Sequence, residues 1–298
     1  MQYIESPIFY MGNKIRLLPQ LKPMFPKEID TFYDLFGGSG VVSLNVNANK
    51  IIYNELNENI YELFNLFSKY SYQEIIEHLE KRVYEFGLLE QEENNYYNFR
   101  NFYNKSSRNY LDLYTLTFFS FSNLIRFNSK NDFNMPVGNR FFTEIHKKRI
   151  SYACHRNLKT DIETKNEDAL KYIEKNLDKF KQEDFIYLDP PYLNTLAVYN
   201  EKRAFGGWNI EHDYKLFELL EKLNEKGIKW GLSNVFHNKG NTNQHLIDWC
   251  IKNNWNINHL ECEYTSLGKG NSDTDEVYIC NYPTDKQTTI FDFLEEEK

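Results

Sequence analysis

Two consecutive prolines at the end of an apolar run constrain this chain more than any other feature. Phe185-Ile186-Tyr187-Leu188 reads as a buried strand, and Asp189-Pro190-Pro191-Tyr192 follows it at once. Proline fixes φ and donates no backbone hydrogen bond, so the chain must leave the sheet there. A carboxylate, Asp189, is thereby held at the carboxyl end of a strand, where open α/β sheets bind their ligands. The Tyr192 ring stands three residues further on. Such a site offers acceptors for an amine and a face for the planar ring that carries it. The competing reading is an ordinary strand exit with an exposed acid.

A second segment has the order strand, glycine turn, helix. Thr31-Phe32-Tyr33 leads into Asp34-Leu35-Phe36-Gly37-Gly38-Ser39-Gly40, and Val41-Val42-Ser43-Leu44 is expected to open a helix. Three glycines allow backbone to approach a ligand closely, and a following helix would present free N–H groups. No Gly-Lys-Ser/Thr follows, so the turn is not a phosphate-gripping P-loop. The next strand, Lys50-Ile51-Ile52-Tyr53, delivers Asn54-Glu55, and an acid at the end of a second strand suits a ribose diol. A third segment, Tyr10-Met11-Gly12-Asn13-Lys14, lies near the start.

Taken in order, aromatic-x-Gly-x-Lys, Asp-x-Phe-x-Gly-x-Gly and Asp-Pro-Pro-Tyr resemble the Dam-like DNA adenine methyltransferases. The resemblance runs from about Phe9 to Tyr282 and takes in a last strand, Glu276–Tyr282. It implies a Rossmann-like, seven-stranded, mostly parallel α/β sheet with an inserted, mostly helical target-recognition domain. It also implies S-adenosylmethionine as cofactor and double-stranded DNA as partner. The implied catalytic residues are Asp189, Pro190 and Tyr192. The cofactor's methionine end would meet Tyr10 and Lys14, with Asp34, Phe36, Gly38, Gly40 and Asp189 alongside. Glu55 would take the ribose and Asp168 the cofactor's adenine amine.

Composition narrows the alternatives. The net charge is −8, yet eleven Lys/Arg between Arg100 and Lys159 face only Asp112, Asp132 and Glu144, which makes that window +8. A basic face on an acidic body can still bind phosphates. Cys154, Cys250, Cys262 and Cys280 form no Cys-x-x-Cys pair and no zinc spacing, so no metal is expected. None follows proline, so the Pro-Cys nucleophile of cytosine ring methylation is absent. No apolar run approaches a membrane span, and Met1–Glu5 lacks a signal pattern, which predicts a cytoplasmic protein with no membrane partner.

Helical spacing of Ile60, Leu63, Phe64 and Phe67 follows Glu55, and Ser71-Tyr72-Gln73-Glu74 predicts a capping box before Ile75, Ile76, Leu79 and Val83. Fourteen aromatics lie between Tyr96 and Phe142, most of them expected in a core. Leu216, Leu219, Leu220 and Leu223 predict a helix ending at Gly227, followed by strands at Ile228–Leu232, Ile257–Tyr264 and Glu276–Tyr282. The organisation expected is a catalytic domain of residues 1–62 and 157–282, a target-recognition domain of 63–156, and a tail of 283–298.

Within 63–156, Arg126-Phe127-Asn128 and Phe133-Asn134-Met135-Pro136-Val137-Gly138 resemble the family's Arg-x-Asn and Phe-Asn-x-Pro-x-Gly. Arginine can grip guanine and asparagine adenine, although Arg126 could equally hold a phosphate. The resemblance adds Phe121, Ser122, Asn123 and Arg140 to the DNA-contacting set. Phe9 stands where GATC-reading relatives carry a basic residue, and Asn139 separates Arg140 from the Pro-x-Gly, which argues against GATC as the target. An RNA or protein-glutamine methyltransferase, or a catalytically silent DNA-binding module, are the other classes. A restriction endonuclease is a possible functional partner. Gln287-x-x-Ile290-Phe291 resembles a peptide that binds the replication sliding clamp, against the plainer expectation that the tail docks on its own domain.

Overall fold

The computed structural model describes residues 3–90, 92–138, 142–193, 207–261 and 274–284. Its centre is a mixed sheet built from β1 (Thr31–Asp34), β2 (Lys50–Asn54), β3 (Asp161–Lys165), β4 (Phe185–Leu188), β5 (Lys229–Asn238), β7 (Asn256–Leu260) and β8 (Thr274–Cys280), in the order β3-β2-β1-β4-β5-β8-β7. A two-residue β6 (Asn241–Thr242) pairs back onto β5 as an eighth strand. The pairings β3–β2, β2–β1, β1–β4 and β4–β5 are parallel, and β8 runs antiparallel to both its neighbours. The direction of strand progression reverses between β1 and β4, which opens a crevice at their carboxyl ends. Asp34 closes β1 and Asp189 follows β4, so both acids stand at that crevice.

Both faces of the sheet are covered, as a continuous apolar strand such as β4 requires. Phe185 and Tyr187 pack on one face with Phe25 of the segment after α1 (Leu18–Met24), and Phe25 lies 5.1 Å from Phe185, centroid to centroid. Ile186 and Leu188 pack on the other face, in one core with α7 (Ala169–Asn176), α8 (Ile210–Glu225) and α9 (Gln244–Asn253). The expected helix of Leu216–Leu223 is α8, and Gly227 ends its turn at φ +73. Each large side chain buried in this way contributes about 1.5–3 kcal/mol.

Between β2 and β3 the chain is helical: α2 (Glu58–Lys69), α3 (Tyr72–Glu85), α4 (Glu93–Phe102), α5 (Tyr110–Phe119) and α6 (Glu144–Lys159). The predicted capping box opens α3, with Ser71 and Glu74 bonded reciprocally. Helix α5 is apolar on nearly every side and is buried among the others. Its one acid, Asp112, is fully buried and accepts from Arg82 Nε at 2.7 Å, with His78 Nε2 at the same distance. Ile8, Leu44 and Tyr53 belong to the same core, so the helices pack directly on the sheet's glycine-turn side. The expected boundaries at 62/63 and 156/157 fall inside α2 and α6.

Two local expectations change. Residues 41–45 form a turn rather than the expected helix. Leu44 N donates to Gly40 O and Val46 N to Val42 O, but the intervening helical bond that would make the segment a helix is missing. β5 runs on to Asn238, past the expected end at Leu232, through a bulge between Val235 and His237. Cys262, Arg140, the end of the expected 257–264 strand and the tail beyond 284, with its clamp-like 287–291 peptide, lie outside the described residues.

Candidate active site

One pocket at the β1/β4 crevice gathers Tyr10, Lys14, Asp34, Phe36, Gly38, Glu55, Asp168, Asp189, Pro190 and Tyr192. Ten side chains or backbones singled out along the chain thus meet at one place, although they come from five separate segments. Gly40 does not line it. Its φ is +73 and a Cβ there would lie 2.1 Å from the Phe64 ring, so this glycine lets the turn close against α2.

Asp189 is engaged on both oxygens. Lys14 Nζ lies 2.7 Å from Oδ2, and the Tyr192 hydroxyl donates to Oδ1 at 2.7 Å. The two charged side chains are 8% and 17% exposed, so this ion pair is largely sheltered from water, where its attraction is felt strongly. Lys14 Nζ also donates to Gly12 O at 3.2 Å and stands 5.1 Å from the centre of the Tyr192 ring. Lys14 is the one Lys or Arg among the described residues lining the pocket.

The glycine turn is held by its neighbours. Glu55 Oε2 accepts from Gly38 N at 2.8 Å and Oε1 from Asn57 N at 2.7 Å, while the Tyr53 hydroxyl donates to Gly38 O at 2.7 Å. Asn54, fully buried, donates to Leu35 O and Glu167 O and so ties the loops after β1 and β3 together. Asp168 caps α7, accepting from Lys171 N at 2.9 Å. Asp34 accepts from Ser43 Oγ at 2.7 Å, and burial, with the nearby Asp189 charge adding to it, pushes its pKa up to about 7. A carboxyl placed at such cost in a ligand crevice suits a cationic ligand.

Sequence reasoning missed Trp208 and His212, which also line the pocket. Trp208 meets Phe36 edge-on at 5.4 Å and stacks on the His212 ring at 5.3 Å with an interplanar angle of 29°, which leaves its other face open to the pocket. Asn209, which caps α8, was the available signal that a helix entry begins here.

The expected DNA-contacting residues other than Arg140 lie on a loop pair joined by isolated bridges Ser120–Val137 and Phe127–Phe133. Phe121 is 56% exposed, and Ser122 beside it has φ 54. Asn123 instead turns inward: it is buried and donates to Thr117 O at 2.8 Å. Exposed Arg126 donates from Nε to Asn134 Oδ1 at 2.9 Å and from Nη2 to Asn134 O at 3.1 Å. Asn128 accepts from Lys130 N and Asp132 N and shapes a turn, and Pro136 O accepts from Phe121 N. Phe118, in the last turn of α5 just before the loop pair, meets the Phe9 ring at 5.9 Å, and Phe9 precedes the pocket residue Tyr10 in the chain. Several basic residues of the 100–159 window are engaged internally: Arg108 with Asp132, Lys147 with Glu80, Arg149 with Glu5, and Arg156 with Val46 O. Lys105, Lys130, Lys148 and Lys159 remain exposed.

Among the described residues no group of His, Cys, Asp and Glu could hold a metal ion, and no helix is long and apolar enough to cross a membrane.

The family model described as D12 class N6 adenine-specific DNA methyltransferase matches residues 10–261. The type II methyltransferase M.FokI of Planomicrobium okeanokoites is 39% identical over 94% of this chain and 43% of its own length. The modification methylase StsI of Streptococcus sanguinis is 39% identical over 95% of this chain and 44% of its own. This chain therefore spans under half the length of those two relatives. The DNA adenine methylase of Escherichia coli K12 is 29% identical over 76% of this chain and 78% of its own.

Proposed function

Because this chain belongs to the D12 class of N6 adenine-specific DNA methyltransferases, we propose that it transfers the methyl group of S-adenosylmethionine to the exocyclic amine of an adenine in duplex DNA. The observation that carries this reading is the Lys14–Asp189–Tyr192 cluster at the β1/β4 crevice, beside buried Asp34 and the glycine turn. The pocket fits the cofactor by charge. Asp34 and Asp189 suit a sulfonium and an ammonium, Lys14 suits a carboxylate, and Glu55 and Asp168 offer acceptors to a ribose and an amine. When bound, S-adenosylmethionine supplies an electrophilic methyl group, its product being S-adenosylhomocysteine.

The chain's own residues position and polarise the amine. An adenine inside a duplex is out of reach, so the base flips out of the stack into the pocket. The Asp189 carboxylate and the Pro190 carbonyl accept the two amine hydrogens, which frees the nitrogen lone pair for in-line attack, while Tyr192 packs on the ring. Both Asp189 oxygens already carry protein donors, so the amine enters by exchanging with Tyr192 or Lys14. Rate enhancement comes from orientation and preorganised dipoles.

Residues 63–156 act as the target-recognition unit in this reading. Phe121 and Ser122, exposed just after α5, Arg126, Asn128, Asn134 and Pro136 are assigned to the duplex-facing set, and Arg140, outside the described residues, is assigned to the same set. Asn123, being buried, supports the loop from behind. The modification methylases among the relatives favour a partnership with a restriction endonuclease. Whether the 287–291 peptide binds a sliding clamp or docks on its own domain is decided by anisotropy of a labelled 284–298 peptide against the clamp, with and without Ile290→Ala and Phe291→Ala. The function itself is tested by incubating the purified chain with labelled S-adenosylmethionine and duplex DNA, RNA or ribosomal protein. Label appearing in the adenine of duplex DNA supports it, and label appearing only in RNA or protein refutes it.

A further inference from the structure

Trp208 has its polar atom committed away from the pocket that it lines. Its indole Nε1–H donates to Asp213 Oδ1 at 2.6 Å, and Asp213, 2% exposed on the first turn of α8, has His245 Nε2 of α9 at 2.7 Å from its other oxygen. A buried carboxylate bonded on both sides is a costly way to hold a ring that needs only apolar packing. It makes sense where the orientation of that ring matters. With Nε1 occupied, the indole can present only π-face and C–H surface to a ligand. Phe36 meets it at 5.4 Å with an interplanar angle of 80°, which makes an aromatic corner. Helices α7 and α8 pack against each other, and Trp208 at the entry of α8 and Asp168 at the entry of α7 both line the pocket.

We propose that Trp208, oriented by Asp213 and His245, is the wall against which the purine base of the nucleoside cofactor packs, with Asp213 as its positioning residue. The inference rests on the assignment of S-adenosylmethionine to this pocket. An aromatic face, a perpendicular neighbour and a nearby carboxylate acceptor match a flat base that bears an amine, and base–aromatic packing is largely lost on truncation to alanine.

The test uses the full chain, S-adenosylhomocysteine as probe, and two readouts: calorimetric affinity and tryptophan fluorescence. The protein has four tryptophans, of which Trp230, Trp249 and Trp255 are buried in the core shared with α7, α8 and α9 and do not line the pocket. A fluorescence change on binding is therefore expected from Trp208 and should vanish in Trp208→Phe, while affinity falls only a few-fold. Trp208→Ala should weaken binding about tenfold or more. Asp213→Leu should raise KM for S-adenosylmethionine with kcat little changed, and Asp213→Asn, which keeps an acceptor for the indole, should restore it. Should Asp213→Leu or Trp208→Ala fail to fold, the loss of the fluorescence signal in Trp208→Phe still decides. Persistence of that signal in Trp208→Phe, or unchanged affinity in Trp208→Ala, overturns this inference and leaves the enzyme reading intact. Failure of the unaltered chain to bind the probe overturns both.

Discussion

Replacing Asp34 by asparagine probes the electrostatics of the pocket directly. Asp34 is 1% exposed, and burial together with the Asp189 charge raises its pKa from the ordinary 3.8 to about 7. A carboxyl whose folded pKa lies above its unfolded one binds its proton more tightly in the native state. Between pH ~4 and ~7 the native state therefore holds the extra proton, and stability falls as pH rises across that window before levelling off. The full effect is at most about 4 kcal/mol. Relaxation and water entering the crevice reduce the expected figure to about 1–2 kcal/mol. Asp34→Asn is isosteric, can still accept from Ser43, and has no charge to bury. It should flatten the pH dependence of urea midpoints measured from pH 5 to 8 and stabilise the ligand-free protein above pH 7. A cationic ligand favours ionised Asp34, so wild-type affinity for S-adenosylmethionine should rise with pH up to about 7, with a proton released that calorimetry in buffers of different ionisation enthalpy detects. The variant should show neither effect. Parallel stability curves for wild type and variant across pH 5–8 would refute the claim that Asp34 carries a buried, elevated carboxyl.

Three further outcomes are expected. Asp189→Ala should abolish methyl transfer while leaving DNA affinity, measured by mobility shift, within a few-fold, because it removes an amine acceptor and no phosphate contact. Arg126→Ala should relax discrimination at one base position by about 1–3 kcal/mol if it reads a base. Uniform weakening with a shallower salt dependence, seen by competition among singly altered duplexes, would mark a phosphate contact instead. Gly40→Ala should destabilise the fold by more than about 2 kcal/mol in urea titration, since φ +73 is strained and the added methyl would lie 2.1 Å from the Phe64 ring. Gly240→Ala, at φ +78 with no atom within 4 Å of the added Cβ, should lose only about 1 kcal/mol, which separates backbone strain from overpacking.

What was legible in the sequence was what short stretches of backbone dictate. Pro190 and Pro191 end β4 wherever the sheet happens to lie, Ser71 and Glu74 cap α3 with each other, and the glycines at 37, 38 and 40 permit a turn that larger residues would block. The strand ends carrying Asp34, Glu55 and Asp189 followed from these local rules, and most of the pocket followed from the strand ends. Residues 41–45 escaped, because the Asn45 side chain takes the Val41 carbonyl that a helix would offer to Asn45 N and pairs with the backbone of Ile4, a contact between distant segments. β3, Asp-Ile-Glu-Thr-Lys, has no apolar run or alternation that would mark it as a strand. It is a strand because β2 offers it a parallel edge.

Tertiary structure alone decided how charges and rings are partnered. No local pattern joins Lys14 to Asp189, Arg149 to Glu5 or Asp213 to His245, since each pair depends on which segments the sheet order and helix packing bring to the same crevice or face. The same holds for burial: Asn123 is a small polar residue like its exposed neighbour Ser122, yet a left-handed turn sends its side chain inward to Thr117. Side-chain type and local backbone rules specify which groups are offered at the end of an element. Strand order and helix packing specify which of them meet, and electrostatics acts only between groups that meet.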